Sequence, residues 1–225
     1  DVDLQTVSQI FTLRSSDGFV ETFGPALITQ LAADAPGVRL RFVQKEADNN
    51  RPLRDGNVDL ETGVISAKKD PNFQSQALMK DHFVYAMRAD HPLAARALTT
   101  AQYAECEHVD VARHTDADNQ RRGPIHKALS DLGHSSSAKV VVGGFAAALS
   151  LARCTDLVAT VPALHTRNLR RDMVCGALPF AVPGITVSLL WHPRFDADPL
   201  HRWMRLTLRD ICAQAKLAEP DLDQT

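Results

Sequence analysis

Four short segments of this chain set polar or glycine residues directly behind an apolar run, where a strand would hand the chain on to a helix. Arg14-Ser15-Ser16-Asp17-Gly18 follows Thr6–Leu13, and Arg113-His114-Thr115-Asp116 follows His108–Ala112. Gly143-Gly144 follows Ala138–Val142, and Pro162 follows Leu157–Val161 at a position suited to the first residue of a helix. In open α/β sheets such junctions lie beyond the carboxyl ends of the strands, where helix N-termini aim amide donors into a crevice. Each alone is ordinary turn chemistry, with Ser16 or Asp17 a fitting N-cap. Their recurrence at equivalent points favours a small-ligand cleft. Catalysis finds less support. GxSxG, HExxH, GxxxxGK[ST] and GxGxxG are absent, and none of the 9 histidines stands four residues from another. The chain is therefore read as a non-enzyme, with no metal and no cofactor.

The elements that must position these residues alternate along the chain. Strands are expected at Thr6–Leu13, Val38–Val43, Val58–Ile65, Phe83–Met87, His108–Ala112, Ala138–Val142, Leu157–Val161 and Ile185–Trp191. Helices are expected at Asp17–Ala33, Asn50–Asp55 (stopped by Gly56), Gln120–Leu132, Phe145–Arg153 and Leu200–Ala215. This alternation predicts an α/β fold with mainly parallel sheets. In the last helix Leu200, Trp203, Met204, Leu208 and Ile211 form one apolar stripe, and Arg202, Arg205 and Arg209 read as a solvated face. Ile125, Leu129 and Leu132 form the stripe of Gln120–Leu132, which Gly133 stops. Asp17–Ala33 differs. Phe19, Val20, Phe23, Ala26, Leu27, Ile28 and Leu31 cover about 220° of its circumference, more than one core-facing stripe needs. Such a helix is either deeply buried or packed against a second subunit.

Composition narrows the function classes. The chain has 225 residues, between the sizes of one ordinary domain and two, and is 44% hydrophobic, enough for a sizeable core. Its 25 Lys+Arg against 27 Asp+Glu give a net charge of −2, which excludes gripping nucleic acid mainly through a basic surface. No apolar run approaches the roughly 18 residues of a membrane span. Cys106, Cys154, Cys175 and Cys212 include no CxxC pair, so four buried reduced thiols are expected, in a reducing cytoplasm. The N-terminus carries no secretory pattern.

Further motifs carry a resemblance. Ala89-Asp90-His91-Pro92-Leu93-Ala94, followed by Leu98-Thr99, resembles the "HPLA…LT" signature of LysR-type transcriptional regulators, in their C-terminal effector-binding domain. Phe11–Leu31, with Ser15-Ser16-Asp17 and Gly24-Pro25-Ala26-Leu27, is similar to that family's first strand and helix. Leu53-x-x-Gly56-x-Val58-Asp59-Leu60 resembles its "L..G.LDL" element. Val141–Pro162 resembles its glycine turn, helix and strand, and Trp191-His192-Pro193 through Trp203-Met204-Arg205 resembles its closing strand and helix. The similarity spans roughly residues 5 to 215.

The resemblance implies a periplasmic-binding-protein-like (type 2) fold of two Rossmann-like lobes joined by two crossover strands. Lobe I would take 1–78 and 182–225, and lobe II 79–181, with the family's N-terminal helix-turn-helix DNA-binding domain absent from this chain. Effector contacts carried over by position are Ser15, Ser16, Asp17, Thr62 and Gly63 from lobe I. Lobe II would add Arg113, His114, Gly143, Gly144, Phe145 and Pro162. Amide donors and Ser hydroxyls suit a carboxylate, and Phe145 an aromatic moiety. One departure is Glu61 after Asp59-Leu60, where the family usually has a small or apolar residue; pairing with Arg39 or Arg41 is expected, and a free carboxylate would instead favour amines.

The resemblance also implies a homodimer, and a tetramer at full length. The first helix (Phe19, Val20, Phe23, Leu27, Leu31) would run against the partner's lobe II (Ile125, Leu129) in an isologous antiparallel pair. The function implied is effector sensing in the interlobe cleft, with DNA contacted only through the missing domain and no membrane role. The alternative on the same fold is a periplasmic solute-binding protein of a transporter.

Overall fold

A computed structural model gives the fold and describes residues 3–45, 49–64, 71–112, 123–136 and 138–217. The described residues divide into two compact units, those within 3–80 with 185–217 and those within 81–184.

The first unit is built on a five-stranded sheet of order β2-β1-β3-β10-β4, with β1 (Ile10–Arg14), β2 (Arg39–Val43), β3 (Leu60–Val64), β4 (Gln74–Asp81) and β10 (Ile185–Trp191). β1 lies between β2 and β3 and runs parallel to both, and β10 returns antiparallel to β3. The strand expected from Thr6 begins only at Ile10, because Asp3 caps a 3-10 turn over Leu4–Thr6 by accepting from the Gln5 amide. α1 (Asp17–Asp34) opens on Ser16, whose hydroxyl accepts from the Phe19 amide at 3.2 Å. Phe19, Phe23, Leu27 and Leu31 recur every fourth residue and are 1%, 0%, 1% and 6% exposed. They therefore belong to the core of their own unit, which corrects their assignment to a subunit interface. The rest of the wide apolar arc faces outward, with Val20 half-buried and Ile28 54% exposed.

α2 (Arg51–Asp55) has Pro52 in its first turn and ends on Gly56, whose φ of 80° is the left-handed conformation that suits glycine. Arg194 closes that end by donating to the Leu53 and Arg54 carbonyls at 2.8 and 2.9 Å. The closing helix buries Leu200, Met204, Leu208 and Cys212 at four-residue spacing, and Trp203 Nε1 ties it to Asp34 Oδ2 of α1 at 3.1 Å. Of its expected solvated arginines, Arg205 instead lies over the Trp191 ring at 4.5 Å and meets His201 Nδ1 at 2.6 Å. A long aliphatic stem beside an aromatic wall packs more favourably than it solvates.

The second unit repeats the plan with order β7-β6-β8-β5-β9: β5 (Phe83–Arg88), β6 (His108–Val111), β7 (Ala138–Val142), β8 (Val158–Pro162) and β9 (Met173–Ala177). β6 runs parallel to β7 and β8, while β5 is antiparallel to β8 and β9. α3 (Thr100–Glu105) opens on a capping box in which Thr99 and Gln102 serve each other's backbone amides. α4 (Pro124–Asp131) is followed by Gly133 at φ 78°, the expected stop. Leu129 is buried within this unit, also removing it from an interface, Ile125 is half-buried, and Leu132 is 56% exposed. α5 (Phe145–Cys154) lays Ala148, Leu149 and Ala152 against the sheet. Of the four thiols only Cys212 is buried; Cys154 ends α5 on its exposed side, and Cys106 and Cys175 are half-buried.

Tyr85 and Gly176 are register partners on β5 and β9. The Tyr85 phenol crosses the glycine and accepts from the Leu98 amide at 3.3 Å, and a Cβ on Gly176 would lie 2.3 Å from its oxygen. Gly176→Ala is expected to cost about 1–3 kcal/mol by overpacking. The urea midpoint checks this; an unchanged midpoint would mean that the ring yields freely.

Candidate functional site

At the carboxyl edge of the first sheet, Arg14 and Glu61 are register partners on parallel neighbours. Arg14 Nε donates to Glu61 Oε2 at 2.9 Å, Nη2 reaches the same oxygen, and Nη2 also donates to the Asn49 carbonyl at 3.0 Å. Lys45 donates to Glu61 Oε1 at 2.8 Å. The expected partners Arg39 and Arg41 are thus replaced by Arg14 and Lys45. The reason is strand order: β1 separates β2 from β3, so the arginines of β2 are not beside Glu61. The carboxylate is engaged by two cations and is not the free acid that would favour an amine.

The predicted contacts Ser15 and Thr62 come together. Their hydroxyls hydrogen-bond, and the Ser15 amide donates to the Val43 carbonyl at 2.9 Å. Ser16 caps α1, and Asp17 Oδ1 accepts from the Gly18 amide at 2.7 Å. Gly63 lies on β3 opposite Ser188 of β10, and the nearest atom to a Cβ built on it is Glu61 Oε1 at 4.0 Å. Ser15, Ser16, Asp17, Thr62 and Gly63 therefore share one edge of one sheet.

In the second unit, β6 hands over through Ala112, whose amide donates to the Val142 carbonyl at 2.9 Å. Arg113 and His114 lie outside the described residues. Gly143 and Gly144 turn the chain from β7 into α5, with Gly144 as N-cap and Phe145 as first helical residue. The Phe145 ring stands 6.0 Å from that of His165. Pro162 ends β8 but does not begin an α-helix. A buried turn, Ala163–Thr166, follows it instead, with the Thr166 hydroxyl donating to the Pro162 carbonyl at 2.7 Å.

Two buried charges hold that turn. Asp81 accepts from the Leu164 and His165 amides, each at 2.9 Å, and from His82 N at 2.8 Å. From the other side, Arg170 donates to Thr166 Oγ1 at 3.0 Å and to the Ala163 carbonyl. A turn whose amides meet a carboxylate and whose carbonyl meets a guanidinium is fixed in place. Sequence reasoning missed Asp81, His165 and Arg170, since Met-Lys-Asp-His-Phe and Leu-His-Thr-Arg-Asn-Leu-Arg match no motif.

Beside β6, His126 Nε2 of α4 meets Asp110 Oδ2 at 2.9 Å, and Ser136 Oγ lies 3.4 Å from its Nδ1. The bond to Asp110 raises the His126 pKa against the opposing effect of burial. His108 is lowered, chiefly by burial, while its Nε2 sits 2.7 Å from the Tyr103 carbonyl. Among the described residues no group of three or more His, Cys, Asp or Glu could hold a metal ion, and no helix is long and apolar enough to cross a membrane.

Comparison with known proteins gives a consistent result. Residues 5–213 match the family model described as the LysR substrate binding domain. The HTH-type transcriptional activator NagR of a Ralstonia species is 29% identical over 213 residues, covering 92% of this chain and 68% of NagR. A solved probable transcriptional regulator from Pseudomonas aeruginosa superposes with a TM-score of 0.79 at 27% identity, over 93% of this chain and 68% of that one. The regulatory domain of MexT, a transcriptional activator in Pseudomonas aeruginosa, gives a TM-score of 0.75 at 23% identity, over 92% and 99% of the two chains. Both structural likenesses bear on the fold, which is periplasmic-binding-protein-like (type 2) and contains two α/β units.

The His126–Asp110 pair has a definite pH signature. A histidine whose folded pKa is raised contributes stability that is complete below its unfolded value of about 6.5 and is lost as pH rises through the folded value. Asp110→Asn is therefore expected to lose more unfolding free energy at pH 5 than at pH 8.5. Equal losses at both, measured by urea titration, would sink the assignment.

Proposed function

The chain belongs to the LysR substrate binding domain family, and from that premise we propose that it is the effector-sensing domain of a transcriptional regulator, taking up a small molecule at the carboxyl edges of its sheets. The match over residues 5–213 carries this reading. The gathering of Ser15, Ser16, Asp17, Thr62 and Gly63 at one edge supports it, as do Gly143, Gly144, Phe145 and Pro162 at the other. Amides at two helix N-termini, with hydroxyls beside one of them, favour a carboxylate, and Phe145 favours an aromatic body. We carry Arg113 and His114 as further candidates.

Sensing requires that the effector bind one arrangement of the assembly more tightly than another. On this reading DNA contact belongs to the remainder of the whole regulator, in the cytoplasm. The matches above are transcriptional regulators and give the transporter-component reading no support.

The assembly we propose is a symmetric antiparallel dimer, a tetramer in the whole protein, using the outer face of α1. Pro25, Ala26, Ile28, Thr29, Ala32 and Ala33 are exposed there, with the charge of Glu21 at the N-terminal end of the same face. Val20 of α1, with Ile125 of α4 and Leu132 just beyond it, provides further apolar surface.

Native mass spectrometry of the purified chain tests both parts. A retained small molecule, or a rise in melting temperature with a cellular metabolite extract, is expected; no change with any extract would remove the sensing role. Ile28→Glu is expected to shift a dimer to monomer at about 10 µM. A wild-type chain already monomeric at that concentration would refute the interface.

A further inference from the structure

We propose that His201 and Arg205 form a proton-operated latch inside the first unit. With His201 neutral, Arg205 clasps the turn before the closing helix; a proton on the His201 ring drives it off. His201 lies in the first turn of that helix (Pro199–Leu217) and is 1% exposed. Its ring stacks on Phe195 at 5.0 Å, and meets Phe11 of β1 at 5.4 Å and Trp191 of β10 at 6.4 Å. Both ring nitrogens are committed. Nδ1 stands 2.6 Å from Arg205 Nη1, and Nε2 stands 2.9 Å from the Asp59 carbonyl. A guanidinium only donates and a carbonyl only accepts, so Nδ1 is bare and Nε2 carries the hydrogen. The ring is therefore neutral, and its free protonation site faces a cation.

Arg205 is the moving part. Nη1 also donates to the Phe195 carbonyl at 3.3 Å, and Nη2 donates to the Asp196 carbonyl at 3.2 Å. With the guanidinium over the Trp191 ring, these bonds clasp the 3-10 turn Pro193–Phe195 to the closing helix. A proton on Nδ1 sets hydrogen against hydrogen and like charge against like charge. Arg205 is half-buried and His201 fully buried, so the guanidinium is the group that leaves. The nearby carboxylates already serve neutral donors. Asp198 Oδ1 accepts from the His201 amide, Asp196 Oδ1 from Trp191 Nε1 and Asp59 Oδ2 from the Thr12 amide, each at 2.7 Å. The other charges here are Arg202 on the closing helix and Arg194, which lies over the Phe195 ring at 4.8 Å. His192 caps the turn by accepting from the Arg194 amide at 3.2 Å. Burial is the chief influence holding the His201 pKa below its ordinary value; Arg205 lowers it further, against the raising effects of the Asp59 carbonyl and Asp198. The latch needs no ligand and stands apart from the effector reading.

A nuclear magnetic resonance titration of the purified chain, from about pH 8 to about pH 4.5, reads the latch directly. His201 is expected to titrate below the ordinary histidine value of about 6.5. The indole N–H signal of Trp191 should move with the same midpoint. That of Trp203, bonded to Asp34 away from the cluster, should stay in place. Arg205→Met keeps an aliphatic stem on Trp191, and should raise the His201 midpoint and abolish the Trp191 step. His201→Gln offers a donor to Asp59 and an acceptor to Arg205 with nothing to protonate. It too should abolish the step, while leaving His192 to titrate. The latch is overturned by a wild-type midpoint at or above about 6.5, or by a Trp191 signal that holds still while His201 titrates. A midpoint unmoved by Arg205→Met, a step that survives His201→Gln, or global acid unfolding before His201 titrates overturns it equally. If the glutamine variant does not fold, the wild type and Arg205→Met decide.

Discussion

The Arg14–Glu61 contact governs the first unit's candidate edge. Two charges taken out of water lose several kcal/mol each, and their attraction repays this only when geometry is good and the remaining donors and acceptors are satisfied. Here both conditions are met by backbone and side chain together: the Asn49 carbonyl takes a guanidinium N–H, and Lys45 takes the second carboxylate oxygen. The pair fixes β1 against β3 at one register and draws the segment after β2 onto the same edge. Ser15 and Thr62, the next register step, inherit their contact from it. Removing Glu61 would leave the Arg14 charge uncompensated in the interior, a loss of about 3–5 kcal/mol.

The second unit solves the same problem with different chemistry. Its edge is fixed by ionic groups that address backbone, Asp81 on the amides of Leu164 and His165 and Arg170 on the Ala163 carbonyl. A peptide turn buried this deeply would otherwise hold unsatisfied polar groups. The first unit sets side chain against side chain, and the second sets side chains against main chain. Both leave rigid edges, as binding sites need.

Most of the fold was legible because alternation and turn chemistry agreed. Ala138–Val142 and Ile185–Trp191 match their expected limits, and Asp17, Gly56 and Gly133 punctuate as expected. Among the described residues, two strands and one α-helix escaped. β4 buries only Met79 and Asp81 and so shows no alternating apolar pattern, β9 is five residues containing a glycine, and α3 is a single short helix. At the site, junction residues could be read because capping and turning leave local signatures. Glu61 could not be paired correctly, because its partners depend on strand order, a property no neighbouring residue encodes. Asp81 and Arg170 act 83 and 7 residues away, on backbone groups that carry no side-chain signature at all.

The segment that first suggested the family has its own place in the structure. His91 is buried and reaches the Leu93 amide and the Asp156 carbonyl, each at 3.1 Å, and Thr99 caps α3. These residues brace the second unit's scaffold and belong to neither candidate edge. The His91–Thr99 segment is therefore separate from the residues that would choose an effector, whereas Ser15-Ser16-Asp17 and Val141–Pro162 serve both the resemblance and the candidate edges. Two such domains can share that bracing segment and still answer to different molecules.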